Sequence, residues 1–405
     1  MLALRLARGA HPLVLLRRLL VAAASGGTGF LLLAALGHAA AHPAMAADSF
    51  VRLLWCAVPV AATIQLAVST ARTDPASRPQ RGMSAAGLGP VRLTVIAATS
   101  TAVSCVLGSF VALLAFLMVR GDLVGATAAD SAAQLLGAGH SLPLAGALML
   151  LAVVPVTAAT ATAVVLRPRR NARGAGRRTG ASASAGAGEP LTAMDTNSTA
   201  SAVPAALPWG MALTAAGLAL ETYVSRGPAN ADTLLPLPGR LVGSPPGVLA
   251  GWALSTLGLV LAGPGLARLS GRLLAAGRPG AVRLLAGRVL QEESRRIGRP
   301  LGVLCAVASG AYAAVKVYEA APTRPFGPLT GLGAALVLAC VTASALTAAL
   351  EARWARTHTT AALRRLGTPR SVLFRASVLR VLALLVVLGP LTWAIAELAA
   401  LPLLH

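Results

Sequence analysis

Four ionisable side chains stand in or near the long apolar runs of this sequence and are the first candidates for chemistry. They are Glu221, Lys316, Glu319 and Glu397. Charged groups at membrane depth are costly, and where they occur they mark proton or ion pathways. Lys316 and Glu319 are three residues apart, which places them on one helix face as a candidate ion pair. Since no carboxylate falls clearly at the middle of a run, the sequence favours interfacial snorkelling over a proton-coupled carrier.

The sequence gives little support for a metal site, a catalytic nucleophile or a nucleotide-binding loop. His38 and His42 are four residues apart and His140 lies in another polar segment, but no acidic or cysteine partner is obvious nearby. The cysteines fall inside apolar runs without metal-ligand spacing; they are Cys56, Cys105, Cys305 and Cys340. No G-x-x-x-x-G-K-[ST] loop is present. We expect no catalytic, cofactor or metal site in this chain and no enzyme activity of its own.

The elements that position these residues are long apolar helices. Of the 405 residues, 56% are hydrophobic and 12% charged, and the mean hydropathy is +0.72. Continuous apolar runs rich in Leu and Ala are typical of membrane-spanning helices. We predict an all-α integral membrane protein with about nine spans in two related halves and no large external domain. The spans are expected at 14–37, 50–70, 93–118, 143–166, 207–224, 247–267, 300–319, 328–350 and 376–400, of which the fifth is the weakest.

The net charge of +22 comes almost entirely from arginine, and its distribution indicates topology rather than nucleic-acid binding. All but five arginines fall in alternate connecting segments; the five are Arg52, Arg120, Arg226, Arg240 and Arg324. By the positive-inside rule the N-terminus is cytoplasmic, and nine spans put the C-terminus outside. The basic segments would contact anionic lipid head groups. The composition suggests a high-GC bacterial genome and therefore the bacterial cytoplasmic membrane. The first run resembles a signal peptide, but it is long enough to span and we expect it to be retained.

Composition also divides the chain. Residues 167–205 are Arg-rich and then rich in Gly, Ala and Ser, which predicts a disordered basic cytoplasmic linker. It separates a first membrane half, 1–166, from a second, 206–405. Residues 268–299 alternate leucines with arginines at helical spacing, which predicts an amphipathic segment on the inner membrane surface.

A weak internal repeat relates the two halves at an offset of 278 residues. It aligns the segments 84–92 and 361–370, both on the Arg-rich side. The matching residues are Leu88 with Leu366, Gly89 with Gly367, and Arg92 with Arg370. In each segment we predict a short helix ended by the glycine, after which Pro90 or Pro369 starts a new span.

These segments resemble a known family. The stretch Ala361-Ala362-Leu363-Arg364-Arg365-Leu366-Gly367-Thr368-Pro369-Arg370, between two spans, is similar to the coupling segment of FtsX-like ABC transporter permeases of the MacB/LolC type; 84–92 is a poorer match. The likeness covers about 50–166 and 280–400, as in two-unit actinobacterial members. It implies a permease subunit that docks a separate ABC ATPase, which binds ATP. The implied docking residues are Leu88, Gly89, Pro90, Arg92, Leu363, Leu366, Gly367, Pro369 and Arg370.

The sequence departs from that family in two places. The loop at 38–49 replaces a large external domain, and only one span follows the second coupling segment. Two alternatives therefore stay open: a secondary transporter without an ATPase, and a non-transporting scaffold or regulatory membrane protein derived from a permease. The permease hypothesis also allows this chain to form a homodimer or a heterodimer.

Overall fold

Nearly all of the described residues in the computed structural model are helical. The structure describes residues 12–44, 46–73, 90–121, 136–137, 139–140, 142–167, 206–226, 235–237, 241–244, 246–277, 280–320, 327–365 and 367–404. The helices are α1 (Pro12–Ala41), α2 (Ala46–Trp55), α3 (Ala57–Thr73), α4 (Pro90–Arg120), α5 (Leu144–Leu166), α6 (Ala206–Ser225), α7 (Pro246–Ala275), α8 (Ala281–Ala320), α9 (Pro328–Ala355), α10 (Thr357–Arg365) and α11 (Arg370–Leu404). A short antiparallel hairpin pairs β1 (Leu235–Leu237) with β2 (Leu241–Ser244). The all-α expectation is confirmed apart from this hairpin.

Eight segments of the described chain are long and apolar enough to cross a membrane. They are Val14–Ala41, Ser49–Thr73, Thr94–Arg120, Leu144–Leu166, Gly247–Ala275, Ala281–Lys316, Pro328–Ala355 and Arg370–Leu401. The second combines α2 and α3, which meet at a turn at Cys56. A multi-pass membrane protein is therefore confirmed, with eight such segments where nine were predicted. The segment outside the eight is α6, where Pro208 and Glu221 dilute the apolar residues.

The outward faces of these helices are apolar. On α4, the side chains of Val103, Leu107, Phe110 and Val111 are each more than half exposed. In water, one large apolar stripe of this kind would drive association or aggregation. In a bilayer the same stripe is the surface that contacts lipid, so its exposure agrees with the spans.

The first half is a bundle in which α1 contacts α3, α4 and α5. Small and hydroxyl residues bring α1 and α4 together, since the Ser25 hydroxyl donates to the carbonyl of Cys105 at 2.8 Å and lies 3.4 Å from the Ser109 hydroxyl. Farther along, Phe30 and Phe116 meet edge to face with centroids 6.0 Å apart. Short-range packing and interhelical hydrogen bonds are what hold helices together in lipid, where the hydrophobic effect between helices is absent.

Glycines set the packing of the second half. α6 runs antiparallel along α7, and the two backbones approach so closely that side chains are excluded. A Cβ at Gly217 would lie 2.6 Å from the backbone nitrogen of Ser255 and 2.7 Å from the carbonyl of Gly251. A Cβ at Gly210 would lie 2.8 Å from the carbonyl of Gly258. This is the small-residue packing that membrane helices use in place of hydrophobic association.

The segment 268–299 differs from its prediction. It is not a separate surface helix, because α7 continues to Ala275 and α8 already begins at Ala281. The two arms stay in contact, and a Cβ at Gly271 would lie 2.8 Å from the carbonyl of Gly287. The apolar run that defined the span at 300–319 therefore starts within a helix of 40 residues, which carries Pro300 in its interior.

Candidate functional site

The coupling-like segment of the second half has the predicted shape. α9 ends at Ala355, α10 occupies Thr357–Arg365, and α11 begins at Arg370. Gly367 adopts a φ of +88°, a left-handed conformation that favours glycine at a helix end, and its N–H bonds the Arg364 carbonyl at 3.0 Å. The short helix, the left-handed glycine and the new long helix are confirmed; a docking role is not thereby tested.

Most of this segment faces outward. Arg364, Arg365, Gly367, Pro369 and Arg370 are exposed. The side chain of Leu363 and all of Leu366 lie outside the described residues. The exposed guanidinium groups and the open space around Gly367, with no atom within 4 Å of where a Cβ would stand, leave room for another protein.

A buried ionic cluster, missed at the sequence level, ties the base of α10 to two other helices. Glu293 on α8 pairs with Arg356 at 2.5 Å and with Arg380 on α11 at 3.7 Å. The Arg356 Nε also donates to the carbonyl of Ala352 at 3.0 Å. Burial lowers the pKa of the Arg356 guanidinium, and the nearby Glu293 carboxylate opposes that shift. With the Glu293 and Arg356 side chains 11% and 22% exposed, a displacement of α10 would strain a poorly solvated pair.

The equivalent segment of the first half is described only in part. Leu88 and Gly89 lie outside the described residues, as do 168–205 of the predicted linker. Pro90 is the first residue of α4, as predicted, and Arg92 is exposed. The match between the two segments can therefore be followed only from the proline onward.

The repeat offset reappears where α3 meets α9. The Thr347 hydroxyl donates to the Ser69 hydroxyl at 3.4 Å, and these residues are 278 positions apart. Other residues at equivalent positions of the two helices are buried as well, namely Ala62 and Cys340, Thr63 and Val341, and Leu66 and Ser344. A contact between two equivalents, such as that of Ser69 with Thr347, is what lies on the axis of an isologous interface.

The pairing of α1 with α4 has a counterpart in α8 and α11. Ser25 and Ser109, which lie 3.4 Å apart by their hydroxyls, are 84 positions apart in sequence. The Tyr312 hydroxyl donates to Glu397 at 2.8 Å, and these residues are 85 positions apart. Both helix pairs therefore meet in nearly the same register.

The four ionisable candidates are not brought together into one site. The ammonium of Lys316 lies 5.7 Å from the centroid of the Tyr312 ring, and Glu319 is exposed. No ion pair between Lys316 and Glu319 is found among the described residues, and the lysine faces an aromatic ring that attracts cations. Glu397 is bound by Tyr312, and Glu221 is fully buried at 0% exposure.

The histidines form no metal centre within the described part of the chain. The rings of His38 and His42 stack with centroids 4.4 Å apart, and His42 Nδ1 lies 3.1 Å from the His38 carbonyl. His140 is bound through its backbone carbonyl by Arg120. No group of three potential ligands is found among the described residues.

No protein-family model matches this chain, and neither a curated protein nor a solved structure matches it. The likeness to FtsX-like permeases therefore depends on the motif residues and on the geometry around them.

Proposed function

We propose that this chain is the membrane-spanning permease subunit of an ABC transporter of FtsX-like type in a bacterial cytoplasmic membrane. The observation that carries the proposal is α10, a nine-residue helix between two long apolar helices, closed by the left-handed Gly367 and exposed on its arginine face. A short helix held between two spans is suited to receive a push from a partner outside the membrane.

The ionic cluster supplies a route for that push. Arg356 adjoins α10, and its partner Glu293 also contacts Arg380 on α11. A displaced α10 would therefore move against α8 and α11 together, because separating a partly buried ion pair is costly. ATP would be hydrolysed on a separate subunit, and the chain would turn the resulting motion into helix tilts that move a substrate.

The contact between Ser69 and Thr347 supports two units related by a twofold axis within one chain. Under that arrangement the segments 84–92 and 361–370 face the same side and offer two related docking points to the ATPase. The close antiparallel packing of α6 on α7 supports α6 as the ninth span, because it accompanies α7 along an apolar helix. Nine spans with the arginines inside give a cytoplasmic N-terminus.

The test is co-purification of the tagged full-length chain in mild detergent, followed by mass spectrometry. An ABC ATPase subunit is expected in stoichiometric amount. Gly367→Val should abolish it, because a β-branched residue is strained at a φ of +88°, whereas Gly367→Asn should retain it, because Asn tolerates that region. Nothing lies within 4 Å of where a Cβ would stand at Gly367, so neither substitution creates a clash at that atom.

Three results would contradict the proposal. One is an absence of ATPase under conditions that keep known transporter complexes intact, which would favour the carrier or scaffold alternatives. Another is equal recovery of ATPase with the Val and Asn variants, which would move docking away from α10. A third is loss of the chain's own thermal stability in Gly367→Val, because the lost co-purification would then come from unfolding and not from a docking site at Gly367.

A further inference from the structure

A carboxyl group without a partner lies between α6 and α7. Glu221 is 0% exposed, and both of its carboxylate oxygens are buried with no hydrogen-bond partner among the described residues. It is one of the largest fully buried side chains in the described part of the chain. Buried carboxyl groups in proteins are nearly always paired or hydrogen-bonded, so this one needs an explanation.

The glycine packing is what encloses it. A Cβ at Gly251 of α7 would lie 3.2 Å from the Cβ of Glu221, so the two backbones close over the root of the side chain. Two more polar atoms of α7, the Nε1 of Trp252 and the hydroxyl of Ser255, are also buried, and neither has a hydrogen-bond partner within the described part of the chain. Trp252 follows Gly251, and Ser255 lies one helical turn farther along. Three unpartnered polar side chains are thus gathered on one stretch of two packed helices.

No described charge neutralises the group. On α7 the basic residues Arg268 and Arg272 are at the opposite end of the helix from Gly251. On α11, which also contacts α6, the arginines fall in the first half of the helix and Glu397 is engaged by Tyr312. α6 itself carries no basic residue up to Ser225, and Arg226 after it is exposed.

We propose that Glu221 is a proton-binding site and carries its proton as a neutral carboxylic acid. An ionised carboxylate in an apolar interior without a counter-charge is far less stable than the protonated form, so the group takes up a proton instead. The neutral acid has one O–H donor and acceptor oxygens, and it carries no charge that the surrounding apolar interior would have to compensate.

The packing of α6 on α7 therefore depends on whether Glu221 is protonated. Loss of the proton would leave a charge in an interface whose backbones are already in close contact at Gly251. Release of the proton therefore requires the two helices to separate enough to hydrate the carboxylate. Proton binding by Glu221 and closure of α6 on α7 are therefore coupled. This coupling does not require a bound ATPase.

The test is a difference infrared spectrum of the full-length protein in detergent at neutral pH, without any ATPase. Wild type minus Glu221→Gln should show the carbonyl band of a protonated carboxylic acid. The matched control is Glu319→Gln at an exposed position, whose difference spectrum should show ionised-carboxylate bands instead. Glu221→Gln is also expected to unfold at the wild-type temperature, since the amide is neutral and nearly isosteric with the protonated acid.

Carboxylate bands in the Glu221→Gln difference spectrum would overturn the proposal and indicate a bound cation or a basic partner. Marked destabilisation of that variant would do the same, because removing one member of a buried charge pair is costly. A negative infrared result would not change the expected co-purification of the ATPase, and a negative co-purification result would not change the expected infrared band. The two proposals can therefore be refuted independently.

Discussion

The closest helix contact gives the sharpest quantitative prediction. In Gly217→Ala the new Cβ would stand 2.6 Å from the Ser255 backbone nitrogen and 2.7 Å from the Gly251 carbonyl, where ordinary contact begins at 3.4 Å. Backbone atoms cannot rotate aside as a side chain can, so α6 and α7 must move apart by roughly 0.8 Å at this point. Gaps of about that size forfeit a quarter to a half of the local dispersion energy. Overpacking of this kind costs about 1–3 kcal/mol.

The control has the same chemistry without the contact. Gly310 lies within α8, is not followed by proline, and has nothing within 4 Å of where a Cβ would stand, so Gly310→Ala adds a methyl group in open space. Both substitutions gain about the same helix propensity, up to about 1 kcal/mol. That gain cancels in the comparison, and Gly217→Ala should therefore be the less stable of the two variants by about 1–3 kcal/mol.

Unfolding of the two purified proteins in mixed micelles, titrated with a denaturing detergent and followed by tryptophan fluorescence, measures this difference. The Gly217 variant should unfold at a lower detergent fraction than wild type, and the Gly310 variant at an equal or higher one. Equal midpoints for the two variants would refute the close approach of α6 to α7, and with it the reason for enclosing Glu221.

Two further predictions concern the contacts between helices. A chain carrying both Ser69→Cys and Thr347→Cys should form a disulfide on mild oxidation, since the native hydroxyls are 3.4 Å apart. After cleavage at a protease site inserted between the halves, the two fragments should stay joined on a non-reducing gel. The control variant, Ser69→Cys alone, should give separate fragments. Glu293→Gln should lower the free energy of unfolding by about 3 kcal/mol, and most of that loss should disappear in an Arg356→Gln background, because the pair is then already broken. Fully additive losses in the double variant would contradict the pairing.

The spans could be predicted because a helix that crosses the bilayer needs about twenty apolar residues in a row, and runs of that length stand out in the sequence. α10 could be predicted because Gly367 and Pro369 punctuate an otherwise helical stretch. The continuity of α8 was not predicted, for the opposite reason: residues 268–299 were predicted as a separate amphipathic segment. Its arginines interrupt the apolar run and Pro300 ordinarily ends a helix, yet contact between Gly271 and Gly287 holds both arms together as helices.

The polar clusters could not be found from the sequence. Glu293 is 63 positions from Arg356 and 87 from Arg380, so no periodic pattern links them, and only the packing of α8, α9 and α11 brings them together. For Glu221 the position near a helix end suggested an exposed, snorkelling carboxylate. Its burial depends on which faces of α6 and α7 meet, and the glycines of the two helices decide which faces those are. Because the chain contains 41 glycines, their spacing in the sequence does not single out these two faces.

Under the proposed arrangement α3 and α9 meet at a twofold axis, which would allow a repeat of low sequence identity to be functional. At a twofold axis each residue meets its own equivalent, so the side chains there must suit pairing with themselves or with something similar. Ser69 and Thr347 satisfy this as two hydroxyls, each able to donate and to accept. Away from the axis the halves have no such constraint, and α6 and α7 have no counterpart before the linker. We expect sequence similarity between the halves to be concentrated at the proposed axis and at the docking segments, which both units must present in the same way to one partner.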